Sequence, residues 1–304
     1  MKKRILGLAL VCVMAVSVTA CGSRTKAGNK VTITMDELQD KMTEAIKEVD
    51  SVDLDLDAEV GIGITGEEEM NLDASLEAEG QLIIGTPAAH IDFTGEMKYG
   101  NKTDSRENKV DFEAYSVTDN DNISLYYNMN DEGWYTGEAP VDELMSELES
   151  ALSDYGMDME GLGSMTTDAE AVETAPELKL SDKTVEADGK ECYELVSKVD
   201  KETLKKEMEA AKDELDEEML GQAETVMDSF ENLDATMKIY VDVDTNLPIK
   251  VVMDMSMKAE LEVYETNMGI NVDEFSITLT AEYNKVKSIE VPAEVKDKAI
   301  NLAE

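Results

Sequence analysis

Few side chains in this sequence are of a type and spacing that could do chemistry. His90 is the single histidine, so a Ser-His-Asp triad would have to use it, and no G-x-S-x-G elbow supplies the serine. One histidine leaves no H-E-x-x-H site, and cysteines at 12, 21 and 192 make no C-x-x-C pair, so the usual zinc ligand spacings are missing. Neither a Walker A loop nor a G-x-G-x-x-G turn occurs. His90 alternates with Ile91 and Phe93, which places it on the polar side of a strand, exposed. With 69 Asp and Glu residues, a glycosidase-type acid and nucleophile can be paired on paper many times over, and only geometry could single out a pair. The expectation is a protein that is not an enzyme and needs no cofactor.

Carboxylates are also the ligands of calcium. Asp242, Asp244 and Asn246 match positions 1, 3 and 5 of an EF-hand loop, but Leu247 replaces the glycine at position 6 and Met253 the glutamate at position 12. Asn128, Asn130, Glu132 and Gly133 come closer, and then Ala139 stands at position 12. Both segments read as turns between strands, and no metal is expected. Asp53, Asp55, Asp57 and Glu59 form an outward row along one strand. Such side chains stand about 7 Å apart, too far to chelate tightly. A solvated face, loosely screened by divalent ions, is the expected state.

Cys21 is different. Lys2, Lys3 and Arg4 precede an uncharged apolar run from Ile5 to Val18, which then meets Val18-Thr19-Ala20-Cys21-Gly22-Ser23. The order of positive, apolar and small residues is that of a secretory signal, and the run is too short to span a bilayer. The ending looks like a bacterial lipobox. Residues 1–20 would be removed and the Cys21 thiol acylated with a diacylglyceryl group. Two chains, at about 0.8 kcal/mol per buried CH₂, anchor stably where one does not. Only Cys192 would remain, so no internal disulfide can form. It lies in the strand-like stretch Glu191-Cys192-Tyr193-Glu194-Leu195-Val196, with Lys190 as its one basic neighbour. A packed, inert thiol is expected.

The elements that position these residues follow from period and charge. The formal net charge of −42 repels phosphate backbones and excludes a nucleic-acid binder. A hydrophobic content of 42% is too high for an acidic disordered tail. Residues 21–33 are small and polar and read as a flexible tether. Thr34 and Glu37 have capping-box spacing, and Met35, Leu38, Met42, Ile46 and Val49 form the stripe of a helix that reaches about Asp50. The period then drops to two. Strands are expected at 52–65, 70–82, 89–99, 107–118, 121–128, 132–136, 177–187, 190–199, 234–243, 248–257, 258–266 and 272–287. Pro140 fits the first turn of a helix at 141–153, followed by a loop over 154–175. Asp200 caps another helix, with a short helical continuation to about Asn232.

Nearly every strand has one apolar and one acidic face. Antiparallel sheets with one wet side produce this pattern, and doubly wound parallel sheets do not. The expected class is therefore α+β: one domain over 34–304, with a large curved antiparallel sheet of about 11 strands, an open or half barrel because strand twist accumulates, and helices packed on its concave face.

The passage Asp242-Val243-Asp244-Thr245-Asn246-Leu247-Pro248-Ile249-Lys250, together with Gly133-Trp134-Tyr135 and Gly189-Lys190-Glu191-Cys192-Tyr193, resembles LolA/LppX-type lipoproteins. More narrowly it is similar to uncharacterised Gram-positive lipoproteins of that half-barrel type. The resemblance implies a hydrophobic cavity that holds acyl chains, and attachment by Cys21 to the outer, extracellular face of the cell membrane of a Gram-positive bacterium.

The sequence holds 19 Met and 4 Phe. Met is unbranched and polarizable and suits surfaces that accommodate varied apolar ligands. Met253, Met255 and Met257 share one strand face, and with Leu261, Ile277 and Leu279 they are the expected lining of an apolar groove for a lipid or other hydrophobic small molecule. The helix at 141–153 and the loop after it would cover the groove. A core filled with Met is the other reading of the same residues. The rival function is a ligand-free acidic envelope scaffold that binds cationic partners or divalent ions; no protein partner is specified.

Overall fold

The computed structural model describes residues 28–66, 69–84, 87–101, 103–119, 122–140, 178–210, 227–263 and 266–301, with the backbone alone at 207–210, 261–263, 266 and 267. Helix α1 is Met35–Ile46. It is followed by β1 (Ser51–Thr65), β2 (Met70–Ile83), β3 (Ala88–Gly100), β4 (Ser105–Asp119), β5 (Asn122–Met129) and β6 (Trp134–Pro140). Then come β7 (Lys179–Leu180), β8 (Val185–Ala187), β9 (Lys190–Asp200) and α2 (Lys201–Ala210). The chain ends with β10 (Phe230–Asp242), β11 (Pro248–Val263), β12 (Thr266–Tyr283), α3 (Ala293–Lys298) and β13 (Ile300–Asn301).

All 13 strands belong to one sheet, in the order β13-β6-β5-β4-β3-β2-β1-β12-β11-β10-β9-β7, with β8 beside β9. The sheet is curved and does not close, because β13 and β7 are its two borders. Pairing is antiparallel except for the contact of β13 with β6. This is the open antiparallel architecture that the alternation predicts.

The α1 N-terminus is the expected capping box: Thr34 Oγ1 accepts from Glu37 N at 3.2 Å, and Glu37 accepts from Thr34 N at 3.0 Å. These bonds satisfy two backbone donors that a helix start otherwise leaves unpaired. The helix seats Leu38, which is fully buried, against Leu195 of β9 and Val241 of β10. Just after it, Val49 packs with Val52, Leu247 and Ala281. The core therefore gathers where β1 and β9 begin and β10 and β12 end. The opposite end of the sheet carries the β1–β2, β3–β4 and β11–β12 turns.

The register explains a break in the sequence pattern. Phe275, Ile277, Leu279, Ala281 and Tyr283 pair with apolar β1 residues, and so do Ile270 and Val272, although the two sets differ in parity. Asp273-Glu274 interrupts the alternation, and the pairing slips there, from Gly61↔Glu274 to Ile62↔Val272. This bulge absorbs one residue and keeps both sets on one face.

Several expected boundaries shift. The strands at 248–257 and 258–266 are one strand, β11, since no turn residue separates Met257 from Lys258. Pro140 is the last residue of β6, opposite Asn122; a proline is tolerated there because β13 reaches only Tyr135 and Thr136, so among the described residues no strand pairs with the outer side of β6 at Pro140. β10 starts at Phe230, inside the expected helical continuation, and β12 ends at Tyr283, with α3 and β13 after it. The helix at 141–153, the loop at 154–175 and the signal segment lie outside the described residues. Within the segment expected to be a tether, residues from Gly28 are docked: Thr184 N donates to Asn29 O and Asn29 N donates to Thr184 Oγ1, both at 2.9 Å, and Val31 N donates to Asp182 O at 2.9 Å.

Candidate ligand-binding face

The register sorts every strand into two faces. On one face β1 places Leu54, Leu56, Ala58, Val60 and Ile62, and their neighbours across β2, β3 and β4 are apolar as well. One cross-strand row runs Leu56, Ala78, Phe93, Phe112, Met129. The other row direction, through β12, reaches Leu279 and Val251.

Four aromatic rings make a ladder across β3–β6 on this face. Phe93 and Phe112 stack with centroids 5.1 Å apart, Phe112 and Tyr127 at 6.5 Å, and Tyr127 and Tyr135 at 5.6 Å. Such offset stacks stabilise beyond the area they bury. Around them Ile91, Met97, Val110, Leu125 and Met129 are exposed, Met129 at 45%. A contiguous apolar patch of this kind is unusual on a sheet with nothing to bind.

The expected lining residues lie on the same face but in its more covered half. Met253 pairs with Ile277 and Met237, Met255 with Ala235, and Met257 with Val272 and Leu233. The three methionines and Ile277 are half-buried, and Leu279, opposite Val251, is buried. Leu261 is opposite Met268 by register, and its side chain lies outside the described residues. The sequence reading missed Phe93, Phe112, Tyr127 and Tyr135. Each was legible as an inward strand position, but 19, 15 and 8 positions separate them along the chain, and only the register shows that they touch.

The other face is acidic. Asp55, Glu79, Asp92 and Glu113 stand directly opposite one another across β1–β4. A shallow depression of about 270 Å³ opens on this face, lined by Glu59, Asp73, Ser75, Glu96, Lys98 and Glu274 among others. Lys109 Nζ donates to Glu96 Oε2 at 2.7 Å and Lys98 binds the other oxygen, which together hold the Glu96 carboxyl down at about 2. Among the described residues no three His, Cys, Asp or Glu side chains are grouped to hold a metal ion.

His90 is on the acidic face, as expected, but half-buried instead of exposed. Its ring stacks on Tyr115 at 4.3 Å, and Nε2 lies 3.3 Å from Glu113 Oε1. Tyr115 donates to the same oxygen at 2.7 Å, and burial followed by that carboxylate pushes the phenol up. Trp134 flanks Tyr115 at 5.8 Å. The stack covers one face of the imidazole with the phenol ring and leaves His90 half-buried.

Cys192 is fully buried, its Sγ facing Lys190 O at 3.7 Å. Burial, then the Asp242 charge, pushes the thiol up to about 11, the opposite of what a nucleophile requires. The Asp242 segment is the expected turn. Its carboxylate accepts from Asp244 N at 2.8 Å, and Asn246 takes the left-handed conformation at φ 56°. The Asn128–Gly133 segment is also a turn, with Asn130, Asp131 and Gly133 at positive φ.

No described helix is long and apolar enough to cross a membrane. Cys21 lies outside the described residues.

The profile described as "Family of unknown function (DUF6612)" matches residues 34–300. No curated protein matches the chain. Among solved structures, LprF from Mycobacterium bovis aligns over 88% of this chain and 100% of its own, with 12% identity and a TM-score of 0.30. A beta-barrel-like protein of the domain of unknown function DUF1849 from Brucella abortus aligns over 74% of this chain and 98% of its own, with 9% identity and a TM-score of 0.21.

Proposed function

This chain belongs to the DUF6612 family, whose function is unknown, and we propose that it is a membrane-anchored extracytoplasmic lipoprotein of LolA/LppX-like half-barrel type that holds a lipid or other hydrophobic ligand without chemically changing it. The observation that carries this reading is the exposed apolar face of β3–β6, with its four-ring ladder and its exposed Ile91, Val110, Leu125 and Met129. Transfer of an acyl chain from water onto such a surface gains about 25 cal/mol per Å² of apolar area covered. The methionines of β11 extend the same face and give it an adaptable floor. Attachment through a diacylated Cys21 at the outer face of the cell membrane would put the sheet beside a source of acyl chains.

Native mass spectrometry of the chain purified from its own membranes tests both parts. A Cys21 N-terminus carrying diacylglyceryl mass, and a separate lipid-sized adduct lost on organic extraction and restored on back-loading, support the proposal. A chain that stays free of adduct after exposure to total membrane lipid sinks it.

The acidic face favours a second reading. The Asp55-Glu79-Asp92-Glu113 row concentrates negative charge, and cationic proteins or divalent ions would relieve it. Saturable, salt-sensitive binding of a basic protein by an adduct-free chain would select this reading over the first.

A further inference from the structure

We infer that the ligand of the apolar face is an anionic phospholipid, its phosphate held by Arg106 and its acyl chains laid along β3 and β4. The inference rests on the reading of that face as a lipid site and names the ligand's headgroup.

Over β1–β6 the positions that register assigns to the apolar face include one charged side chain, Arg106. It is also the one arginine C-terminal to Arg24. The two lysines on the acidic face of β3 and β4 have partners: Lys98 and Lys109 share Glu96, and Lys109 also reaches Glu107 at 3.3 Å. Arg106 is exposed and makes no ion pair among the described residues. In a chain of net charge −42, carboxylates are abundant, yet none of the described ones pairs with Arg106 on its own side of the sheet.

Its position suits a headgroup. Arg106 is opposite Tyr99, and the row continues to Leu72 and Ile62. This row lies at the turn end of the sheet, away from α1. Below it come Met97 with Asn108, Gly95 with Val110, and then Phe93 with Phe112. Arg106 to Phe112 is six residues along β4, about 20 Å at ~3.3 Å per residue. One bilayer leaflet gives acyl chains about 15 Å of depth, so the tails fit between the arginine and the aromatic ladder. Gly95 leaves the surface low between Met97 and Phe93, where a chain would pass. The planar guanidinium presents two parallel N–H donors to a phosphate. The carboxylates of β1–β4 are on the reverse side of the sheet, and salt shortens their reach to about 8 Å.

The test uses the full chain in a nonionic detergent, incubated with mixed micelles of radiolabelled dioleoyl phosphatidylglycerol or dioleoylglycerol. The two share acyl chains and differ in the headgroup. Wild type is expected to retain phosphatidylglycerol about tenfold more tightly than dioleoylglycerol, the scale of one charge-assisted contact. Arg106→Gln should make the two equal while dioleoylglycerol binding stays, and Arg106→Lys should keep part of the preference. Circular dichroism of each variant checks that the sheet is intact. Equal retention by wild type, or a preference that survives Arg106→Gln, overturns the inference and leaves the lipid reading standing. Retention of neither lipid overturns both. Displacement of phosphatidylglycerol by millimolar inorganic phosphate, with dioleoylglycerol unaffected and no tail dependence, reassigns Arg106 to a free-anion site and also overturns it.

Discussion

Tyr283 donates its hydroxyl to the carbonyl oxygen of Pro248 at 2.6 Å, so the last residue of β12 ties down the first residue of β11. Tyr283 packs against two core clusters, one of Val49, Val52, Leu247 and Ala281 and one of Ala187, Cys192 and Ile249. Burial pushes its phenol above the ordinary tyrosine range. Tyr283→Phe keeps the packing and removes the bond, so it should cost about 1 kcal/mol in urea unfolding. Because the folded group resists ionisation more than the unfolded one, its contribution is complete below about pH 10 and is lost as pH rises further. Wild type should therefore lose stability above pH 10 more steeply than Tyr283→Phe does.

Cys192 should be unreactive in the folded chain. Its thiol is held at about 11, by burial first and the Asp242 charge second, against about 8.5 in an unfolded chain. At pH 8 a disulfide reagent should modify it roughly a hundredfold more slowly in buffer than in guanidinium. The raised value means that the neutral thiol favours the fold up to about pH 8.5 and progressively less toward 11. Fast modification of native protein would contradict the placement.

Salt should stabilise the sheet. Asp55, Glu79, Asp92 and Glu113 face one another without an intervening cation in the row, and like charges directly opposite are destabilising. Tm should rise between 20 mM and 300 mM NaCl as the Debye length contracts. Glu79→Gln, at the middle of the row, should raise Tm in low salt and show a smaller salt dependence. A Tm that falls with salt would mean the carboxylates are engaged favourably.

Two residues of the apolar face should separate binding from folding. Met129 is 45% exposed and Leu279 is 4% exposed. Met129→Asp should change stability by less than about 1 kcal/mol, as exposed substitutions do, while lowering retention of acyl chains severalfold. Leu279→Asp buries a charge and should prevent folding. Paired urea melts and lipid retention assays measure both; strong destabilisation by Met129→Asp would show that the patch is core rather than surface.

The period-two pattern made β1 and β2 readable nearly to the residue, because Asp53 to Glu59 and Asp73 to Glu79 mark the wet side so regularly. The same rule fails where the chain changes parity. Asp273-Glu274 looks like an interruption, and only pairing with Gly61 and Ile62 reveals a bulge inside one strand. Met257 and Lys258 lie inside one strand of 16 residues, longer than strands usually are. The face that carries Met253, Met255, Met257, Ile277 and Leu279 is legible from their alternation, whereas the burial of Leu279 beside half-buried Met253 and Ile277 depends on strands far apart along the chain. Arg106 is the last of three arginines in the sequence, and only the register sets it among Tyr99, Leu72 and Ile62.

The two-residue borders of the sheet bear on how the protein survives at high concentration. Long strands with free edges recruit further chains edge to edge. Here β13 covers Tyr135 and Thr136 of β6, whose remaining length includes Gly137 and the donor-less Pro140. At the other border β7 and β8 cover Val196, Leu195 and Cys192 of β9. A sheet that exposes a broad greasy side is thus fenced along both margins by short strands, and fibril-like stacking is discouraged without closing the barrel.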